Sequence, residues 1–286
     1  MKTINQVAVL GGKGMLGTDL NKALTRHGLV PTIYDLPQLD IRNSRHLEMA
    51  IMEADAVVNC AAYTNVDGAE SDPETAFSIN AEAVGMLGRL AADKGIPVLH
   101  ISTDFVFDGK GESPYKEEDD VGPLNVYGAS KLKGEQLLKQ SGCRYCIVRV
   151  QWTYGDAGNN FIKKILKQGQ SGQPLKIVDD QIGAPTSTLE VASALTELLL
   201  QPDGVPQGLF HFAASGYVSR FEVARFIIEK KKLNVKVLPS KSHQFVTPAT
   251  RPLNSRLYCQ KISEYLREPI KPWQVPLESY LEKESQ

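Results

Sequence analysis

Two side chains with complementary acid–base chemistry stand four residues apart in the segment Asn125–Lys131, which reads NVYGASK. If this segment is helical, Tyr127 and Lys131 lie one turn apart on the same face. An ammonium group beside a phenol favours the phenolate, and so lowers a pKa that is ordinarily about 10. Such a tyrosine can donate a proton near neutral pH. The same spacing occurs on ordinary helix surfaces, so its meaning depends on what the rest of the chain supplies.

A glycine-rich turn near the start of the chain predicts a dinucleotide site. The segment Gly11–Gly17 reads GGKGMLG and directly follows the apolar run VAVL at residues 7–10. It fits G-x-G-x-x-G from Gly12 and G-x-x-G-x-x-G from Gly11. Glycines here permit a tight turn and let the backbone approach a pyrophosphate at the positive end of the following helix. The residues that we assign to the cofactor from this turn are Gly11, Gly14, Met15, Leu16 and Gly17.

The acidic residue that holds the adenosine ribose usually ends the second strand, about twenty residues beyond such a turn. Asp35 ends the run VPTIYD at residues 30–35, and Asp40 and Ile41 follow as candidates to hold and cover the adenine. Asp35 favours NADH, because its carboxylate repels a 2′-phosphate. Lys13 favours NADPH, because its ammonium attracts one. The sequence therefore leaves both coenzymes open.

Alternating apolar runs and helical patterns predict the fold that positions these residues. Near-continuous apolar strands separated by helices are typical of a parallel sheet covered on both faces. We predict an α/β fold with a Rossmann-type doubly wound parallel sheet over residues 1–150. Residues 151–286 are expected to form mainly a smaller C-terminal α/β substrate-binding lobe, with about 175–202 returning to the first domain. The predicted strands are VAVL (7–10), VPTIYD (30–35), AVVNCAA (56–62), PVLHIS (97–102), YCIVRV (145–150), LKIVDD (175–180) and GLFHFAA (208–214).

Composition and charge describe an ordinary globular chain. The 286 residues carry a net charge of −1, with 42% hydrophobic and 23% charged residues, which argues against nucleic-acid or anionic-membrane partners. The most apolar stretch, residues 191–200, is too short to span a bilayer, and no secretory segment opens the chain. We therefore expect a cytoplasmic protein. Cys143 and Cys146 form a lone CxxC that leads into a strand, so we expect buried thiols and no zinc site.

A third polar side chain links the tyrosine and the lysine to a known superfamily. The run HISTDFVFDG places Thr103 at the carboxyl end of the fourth main strand, the edge where sheets of this kind bind ligands. Thr103, Tyr127 and Lys131 together resemble the catalytic set of extended short-chain dehydrogenase/reductases. A narrower resemblance, to the dTDP-4-dehydrorhamnose reductases, rests on five segments in that family's order over nearly the whole chain. They are NCAAYTNVDGAE (59–70), STDFVFDG (102–109), PLNVYGASKLKGE (123–135), DDQIGAPT (179–186) and TPATRPLNSRL (247–257).

This resemblance implies a reaction and a role for each residue. The reaction is NAD(P)H-dependent reduction of the C4 ketone of dTDP-4-dehydro-L-rhamnose to dTDP-L-rhamnose, a precursor of cell-surface polysaccharide. Tyr127 would donate the proton, Lys131 would lower the tyrosine pKa and bind the nicotinamide ribose, and Thr103 would hydrogen-bond the ketone oxygen. The further contacts that it implies are cofactor contacts from Ala61, Ala62 and Thr64 and sugar contacts from Asp104 and Trp152.

The substrate's diphosphate calls for a cation, and the loop ATRP supplies one. Arg251 suits a diphosphate through bidentate contacts, with Arg256 as the competing candidate. Some members of the resembled family are described with a magnesium ion near a dimer contact. No carboxylate cluster in this sequence demands a metal, so we assign no metal ligand and leave a homodimer open.

Two rival functions remain at this point. A nucleotide-sugar dehydratase or epimerase shares the fold, but dehydratases typically follow the threonine with an Asp-Glu pair, and here Asp104 is followed by Phe105. Many members of the resembled family carry a tyrosine there, so the missing hydroxyl leaves a related 4-keto-6-deoxysugar open as the substrate. The regulatory subunit of methionine adenosyltransferase also resembles this family, but an intact proton-donating set has no evident use in a regulatory protein.

Overall fold

A six-stranded parallel sheet forms the centre of the larger part of the molecule in the computed structural model, which describes residues 4–283. All five strand pairings in this sheet are parallel, in the spatial order β2-β1-β3-β4-β5-β10. The strands, in chain order, are β1 (Gln6–Leu10), β2 (Val30–Tyr34), β3 (Ala56–Asn59), β4 (Val98–Thr103), β5 (Tyr145–Val150), β6 (Thr153–Tyr154), β7 (Leu175–Val178), β8 (Ile182–Gly183), β9 (Thr186–Ser187), β10 (Gly208–Phe212), β11 (Val218–Ser219) and β12 (Val237–Ser240).

Helices cover both faces of this sheet, as the near-continuous apolar strands predict. The helices, in chain order, are α1 (Met15–Arg26), α2 (Ser44–Ile51), α3 (Val66–Ser71), α4 (Pro73–Phe77), α5 (Ala83–Lys94), α6 (Val126–Gln140), α7 (Phe161–Gly169), α8 (Thr188–Leu199), α9 (Arg220–Lys230), α10 (Gln260–Ser263) and α11 (Gln274–Lys283). Val7 and Val9 of β1 pack under α1 and α8, whereas Ala8 and Leu10 face α2 and α5. The alternation of β1 therefore supplies two hydrophobic cores, and the predicted fold class is confirmed.

One predicted helix has an irregular centre. The sequence predicts a continuous helix from Asp72 to Lys94, and the Asp72 side chain caps its start by accepting a hydrogen bond from the Thr75 backbone N–H. The structure divides it into α4, a π-helical segment at Ser78–Glu82 and α5. Such wide turns are frequent at functional sites, because they redirect one side chain.

A second lobe packs beside the sheet around its own hydrophobic core, built by α7, α9 and α11. Within the predicted range 175–202, α8 packs against α1 of the first domain, whereas β7 pairs with β12 in this lobe. Conversely, β10 lies outside that predicted range and yet forms the edge of the main sheet. Apolar runs predict strands but do not show which sheet they join, so the boundary at residue 150 stays a prediction.

Two cysteines and two histidines of the core are buried, as their positions beside and within apolar strands predict. Cys143 and Cys146 are buried free thiols, and burial raises the pKa of both. His100 and His211 are buried and hydrogen-bonded, as expected of histidines inside apolar strands. Among residues 4–283, no helix combines the length and apolar character needed to cross a bilayer.

Candidate active site

The glycine turn lies at the point where the strand order of the sheet reverses. Strands β2 and β3 flank β1 on opposite sides, and ligands bind at the carboxyl ends of strands around such a switch point. Gly11 has a φ of +72°, and a Cβ there would lie 2.6 Å from the Ala61 backbone nitrogen. Only glycine fits this close passage between the segments that follow β1 and β3. The turn therefore has the shape that a pyrophosphate requires.

A cavity of about 760 Å³ opens from this turn along the carboxyl ends of the strands. Every predicted cofactor residue except Gly17 lines this cavity. Gly17 instead lets α1 pack closely on the glycine turn, since a Cβ at this position would lie 2.4 Å from the Gly11 carbonyl oxygen. The predicted cofactor residues that do line the cavity are Gly11, Gly14, Met15, Leu16, Asp35, Asp40, Ile41, Ala61, Ala62, Thr64, Tyr127 and Lys131. The size and lining of the cavity fit a dinucleotide.

Asp35 has a structural task in addition to the predicted one. Its Oδ2 accepts a hydrogen bond from the Lys13 backbone N–H at 2.8 Å, and its Oδ1 accepts one from Leu36 N–H at 2.8 Å. It thus holds the glycine turn against the end of β2. Arg42, which the sequence did not single out, also lines this end of the cavity and forms an ion pair with Asp40 at 2.6 Å. The hydrogen bonds from Arg42 lower the pKa of Asp40.

Replacement of Asp35 by Ala should shift the coenzyme preference toward NADPH. The change removes the negative charge that opposes a 2′-phosphate, together with the acceptor of the Lys13 backbone N–H, while the Lys13 ammonium, which bonds Gln38, and the Arg42 guanidinium remain as cations. We expect the ratio of kcat/KM for NADPH to that for NADH to rise by about tenfold, the effect of roughly 1.4 kcal/mol. Steady-state kinetics with both coenzymes measure the ratio. An unchanged ratio would mean that the ribose is recognised elsewhere.

The N-terminus of α6 holds Tyr127 through several independent contacts. The Asn125 side chain caps the helix by accepting a hydrogen bond from Gly128 N–H at 2.8 Å, and its amide donates to the Thr250 carbonyl at 2.7 Å. The backbone of Gly128 lies so close to the turn that follows β4 that a Cβ there would meet the Phe105 carbonyl oxygen at 2.2 Å. The Phe105 ring packs edge-on against Tyr127 with centroids 5.6 Å apart. These contacts fix the phenol beside Thr103.

The pKa of Tyr127 differs from our prediction. Burial raises it to about 12, although a hydrogen bond with Thr103 lowers it in part. The expected lowering by Lys131 is absent in this geometry, because the lysine Nζ donates to the Ile101 carbonyl at 2.6 Å and so faces β4. At neutral pH, Tyr127 is therefore a protonated phenol whose proton is strongly held until a base is generated beside it.

Lys131 belongs to a buried chain of polar groups that ends at the cofactor cavity. Its Nζ lies 3.4 Å from His100 Nε2, and His100 Nδ1 lies 3.2 Å from the Asn59 amide. Asn59 Oδ1 in turn accepts a hydrogen bond from Ala61 N–H at 3.1 Å. Burial, followed by the charge of Lys131, lowers the pKa of His100 well below its usual value, so the imidazole is neutral. Burial also lowers the pKa of Lys131 to about 8.

Asn80, at the centre of the π-helical segment, joins α6 to the loop that follows β3. It accepts a hydrogen bond from Tyr63 N–H at 2.9 Å, and its amide donates to the Tyr63 carbonyl and to Ser130 Oγ. Ser130 precedes Lys131 in α6. The wide turn therefore aligns the loop that follows β3 with the helix that carries Tyr127. Sequence reasoning missed this residue, because a π-helical turn has no distinct sequence pattern.

A second opening, a cleft of about 1460 Å³, lies between the two lobes and meets the cofactor cavity. Thr103 and Asp104 line the cofactor cavity, and Trp152 and Arg251 line both openings. The Arg251 guanidinium is already paired with Asp67 at 2.7 Å, so its charge is partly neutralised. The competing candidate, Arg256, lines the cleft and hydrogen-bonds Asn254 Oδ1 at 2.8 Å. Neither arginine is thereby established as the diphosphate ligand, and both stay predictions.

The residues of the cleft give no indication of a metal. Among residues 4–283, no group of three or more His, Cys, Asp or Glu side chains is arranged to hold an ion.

The residues around the cleft that sequence reasoning did not identify include Phe161, Lys164, Lys176, Arg220 and His243. They lie on α7, on β7, at the start of α9 and in the turn after β12, and no local motif connects these four elements.

Comparisons with known proteins agree with this architecture. Residues 5–286 match the family model described as the RmlD substrate binding domain. The chain is 36% identical to a dTDP-4-dehydrorhamnose reductase of Sinorhizobium fredii over 94% of both chains, and 33% identical to the spore coat polysaccharide biosynthesis protein SpsK of Bacillus subtilis over 99% of both. A solved structure of dTDP-4-dehydrorhamnose reductase from Bacillus anthracis in complex with NADP superposes with a TM-score of 0.92, at 31% identity over 98% of this chain and 99% of that one.

These similarities cover the first domain, the second lobe and all five segments that the sequence singled out. The identity is well above the level at which only a fold is shared, and the sheet, the glycine turn and the cleft occur in one continuous match. The resemblance that we recognised in the sequence is therefore confirmed, and the chain belongs to the RmlD substrate-binding-domain family, with the dTDP-4-dehydrorhamnose reductases among its relatives.

Proposed function

We propose that this protein reduces the C4 ketone of dTDP-4-dehydro-L-rhamnose with NADPH or NADH, giving dTDP-L-rhamnose. The observation that carries the proposal is the meeting of Thr103, Tyr127 and Lys131 in one cavity that continues into a substrate-sized cleft. The relatives named as dTDP-4-dehydrorhamnose reductases support the same reaction, and the NADP bound in one of them supports the coenzyme.

The chain supplies the proton and the orientation of the substrate. Thr103 Oγ1 is buried beside the phenol, and its hydroxyl, which donates to Asp104 Oδ1 in this structure, can turn to donate to the ketone oxygen and polarise the carbonyl. The bound reduced nicotinamide supplies the hydride. As negative charge develops on the ketone oxygen, Tyr127 donates its proton there, because the alkoxide is a stronger base than the phenolate. A pKa of about 12 keeps this proton in place until that moment.

Lys131 has two tasks in this proposal. Its ammonium has three donors, of which one is used by the Ile101 carbonyl, so the others are available to a ribose hydroxyl of the coenzyme. Its positive charge stabilises the phenolate that remains after Tyr127 has lost its proton. A pKa of about 8 means that most of the lysine is protonated at pH 7 and that this charge is lost above pH 8. We therefore expect the rate of ketone reduction to decline as the pH rises above about 8.

A direct assay tests the reaction. Absorbance at 340 nm is followed while dTDP-4-dehydro-L-rhamnose is added together with NADPH or with NADH, and the nucleotide sugar is then isolated. Formation of dTDP-L-rhamnose with oxidation of either coenzyme supports the proposal and shows which coenzyme is preferred. Coenzyme binding without any oxidation would contradict it. The similarity to SpsK makes a related 4-keto-6-deoxysugar nucleotide the next substrate to assay.

A further inference from the structure

Arg220, the first residue of α9, lies at the junction of the two openings. It lines both the cofactor cavity and the cleft. Its guanidinium carbon lies 3.7 Å from the centroid of the Trp152 ring and 4.8 Å from that of Phe161. Stacking of this kind occupies the flat faces of a guanidinium and leaves the N–H groups at its edge for hydrogen bonds.

Trp152 is held firmly in the position on which Arg220 stacks. Its φ of +44° is rare for a residue with a side chain, and backbone strain of this kind is concentrated at functional sites. The indole also packs against Gly183, where a Cβ would lie 2.8 Å from its Cε2 atom. Both features show that the surrounding structure fixes the tryptophan ring, and with it the place of the guanidinium.

No acceptor among the described residues is bonded to the guanidinium of Arg220. Within residues 4–283 it makes no hydrogen bond or ion pair, whereas the neighbouring Arg251 is paired with Asp67. The Arg220 charge acts on Asp104, which is buried and whose Oδ1 accepts a hydrogen bond from Thr103 at 3.1 Å. Ser255 lies close enough to this carboxyl to lower its pKa by hydrogen bonding, yet Asp104 Oδ2 is a buried acceptor without a well-formed hydrogen bond among the described residues. Buried polar groups are rarely left unmatched in this way.

We propose that Arg220 and Asp104 together bind one sugar hydroxyl, the one next to the carbonyl that Thr103 and Tyr127 address, and that Arg220 thereby determines substrate specificity. A hydroxyl donates one hydrogen bond and accepts others, so it can donate to Asp104 Oδ2 and accept from the guanidinium. A phosphate only accepts, and the Asp104 carboxylate would repel it. Asp104 directly follows Thr103, which places the hydroxyl beside the reacting carbon. This inference rests on the proposed function.

The test removes the arginine and the hydroxyl separately and together. Arg220→Met keeps an unbranched side chain over Trp152 but has no donors, and Arg225→Met, on an exposed part of the same helix, is the matched control. The substrates are dTDP-4-dehydro-L-rhamnose and its 3-deoxy analogue, compared by kcat/KM. We expect the native protein to prefer the hydroxylated sugar by about 10²-fold or more, because the analogue leaves two polar groups unpaired.

In Arg220→Met, this preference should fall to less than about tenfold. We expect kcat/KM to fall for the hydroxylated sugar and to stay unchanged for the 3-deoxy analogue. Arg225→Met should keep the native preference. Asp104→Asn, which changes the shape of the site little, should also reduce the preference and provides a second route if Arg220→Met folds poorly. An equal loss on both sugars in Arg220→Met would overturn the proposal.

Calorimetry separates this inference from the proposed reaction. Arg220→Met should weaken the binding of dTDP-L-rhamnose by about tenfold or more and leave the binding of dTDP unchanged, whether or not the protein reduces the ketone. Weaker binding of dTDP in the variant would assign Arg220 to the diphosphate and overturn the inference. Absence of reduction by the native protein, with the calorimetric difference intact, would overturn only the proposed function.

Discussion

Replacement of Tyr127 by Phe should lower kcat by roughly 10²- to 10⁴-fold, the usual contribution of a positioned proton donor. The variant removes one oxygen atom and keeps the ring, which packs edge-on against Phe105. The helix cap at Asn125 and the contact of Gly128 with the turn after β4 do not involve the phenol, so the local fold should be retained. Single-turnover measurements at 340 nm would report the rate of the chemical step directly.

Binding of the coenzyme provides the control for this variant. The dissociation constant of NADPH should change by less than about threefold, because the glycine turn and Asp35 lie at the opposite end of the cavity. Tyr258→Phe is a matched substitution at an exposed tyrosine that lines neither opening, and it should keep the native rate. Retention of near-native kcat in Tyr127→Phe would remove this residue from the mechanism.

The parts of the site that lie within one local motif were predictable from the sequence. The turn at Gly11 follows a strand and opens a helix, and the strand, the turn and the helix are each predicted by residues that are neighbours in the sequence. Thr103 was placed by the end of an apolar run, and Tyr127 by helical spacing. Because the carboxyl ends of parallel strands meet at one edge of a sheet, these separate motifs had to converge.

The parts that depend on long-range packing were not predictable. The capping box at Ser219 places Arg220 at the start of α9, but only the fold brings its guanidinium over Trp152. The loop ATRP predicts a role for Arg251, but its pairing with Asp67, 184 residues away, has no local sequence signal. The raised pKa of Tyr127 has the same origin, since burial in the assembled site outweighs the influence of its helical neighbour Lys131.

Breaking a buried ion pair behind Thr103 and Lys131 should strongly destabilise the protein. Arg149 of β5 and Glu135 of α6 are 2% and 0% exposed, and they form two hydrogen bonds of 2.8 and 2.9 Å. Ser102 Oγ donates to the same carboxylate at 2.6 Å, directly before Thr103. Arg149→Met should lower the free energy of unfolding by about 3–5 kcal/mol, because it leaves the Glu135 carboxylate buried without its cation.

The double variant Arg149→Met/Glu135→Leu distinguishes this explanation from a simple loss of packing. It removes both charges together, so its unfolding free energy should lie well above that of Arg149→Met alone, even though it carries one more substitution. Denaturant unfolding of the single and double variants gives the coupling. Additive losses would mean that the pair contributes through side-chain volume only.

Glu135 also raises the pKa of Lys131, one helical turn away, so the double variant should lose activity at a lower pH than the native protein. The same carboxylate would then both neutralise the buried Arg149 and sustain the positive charge of Lys131.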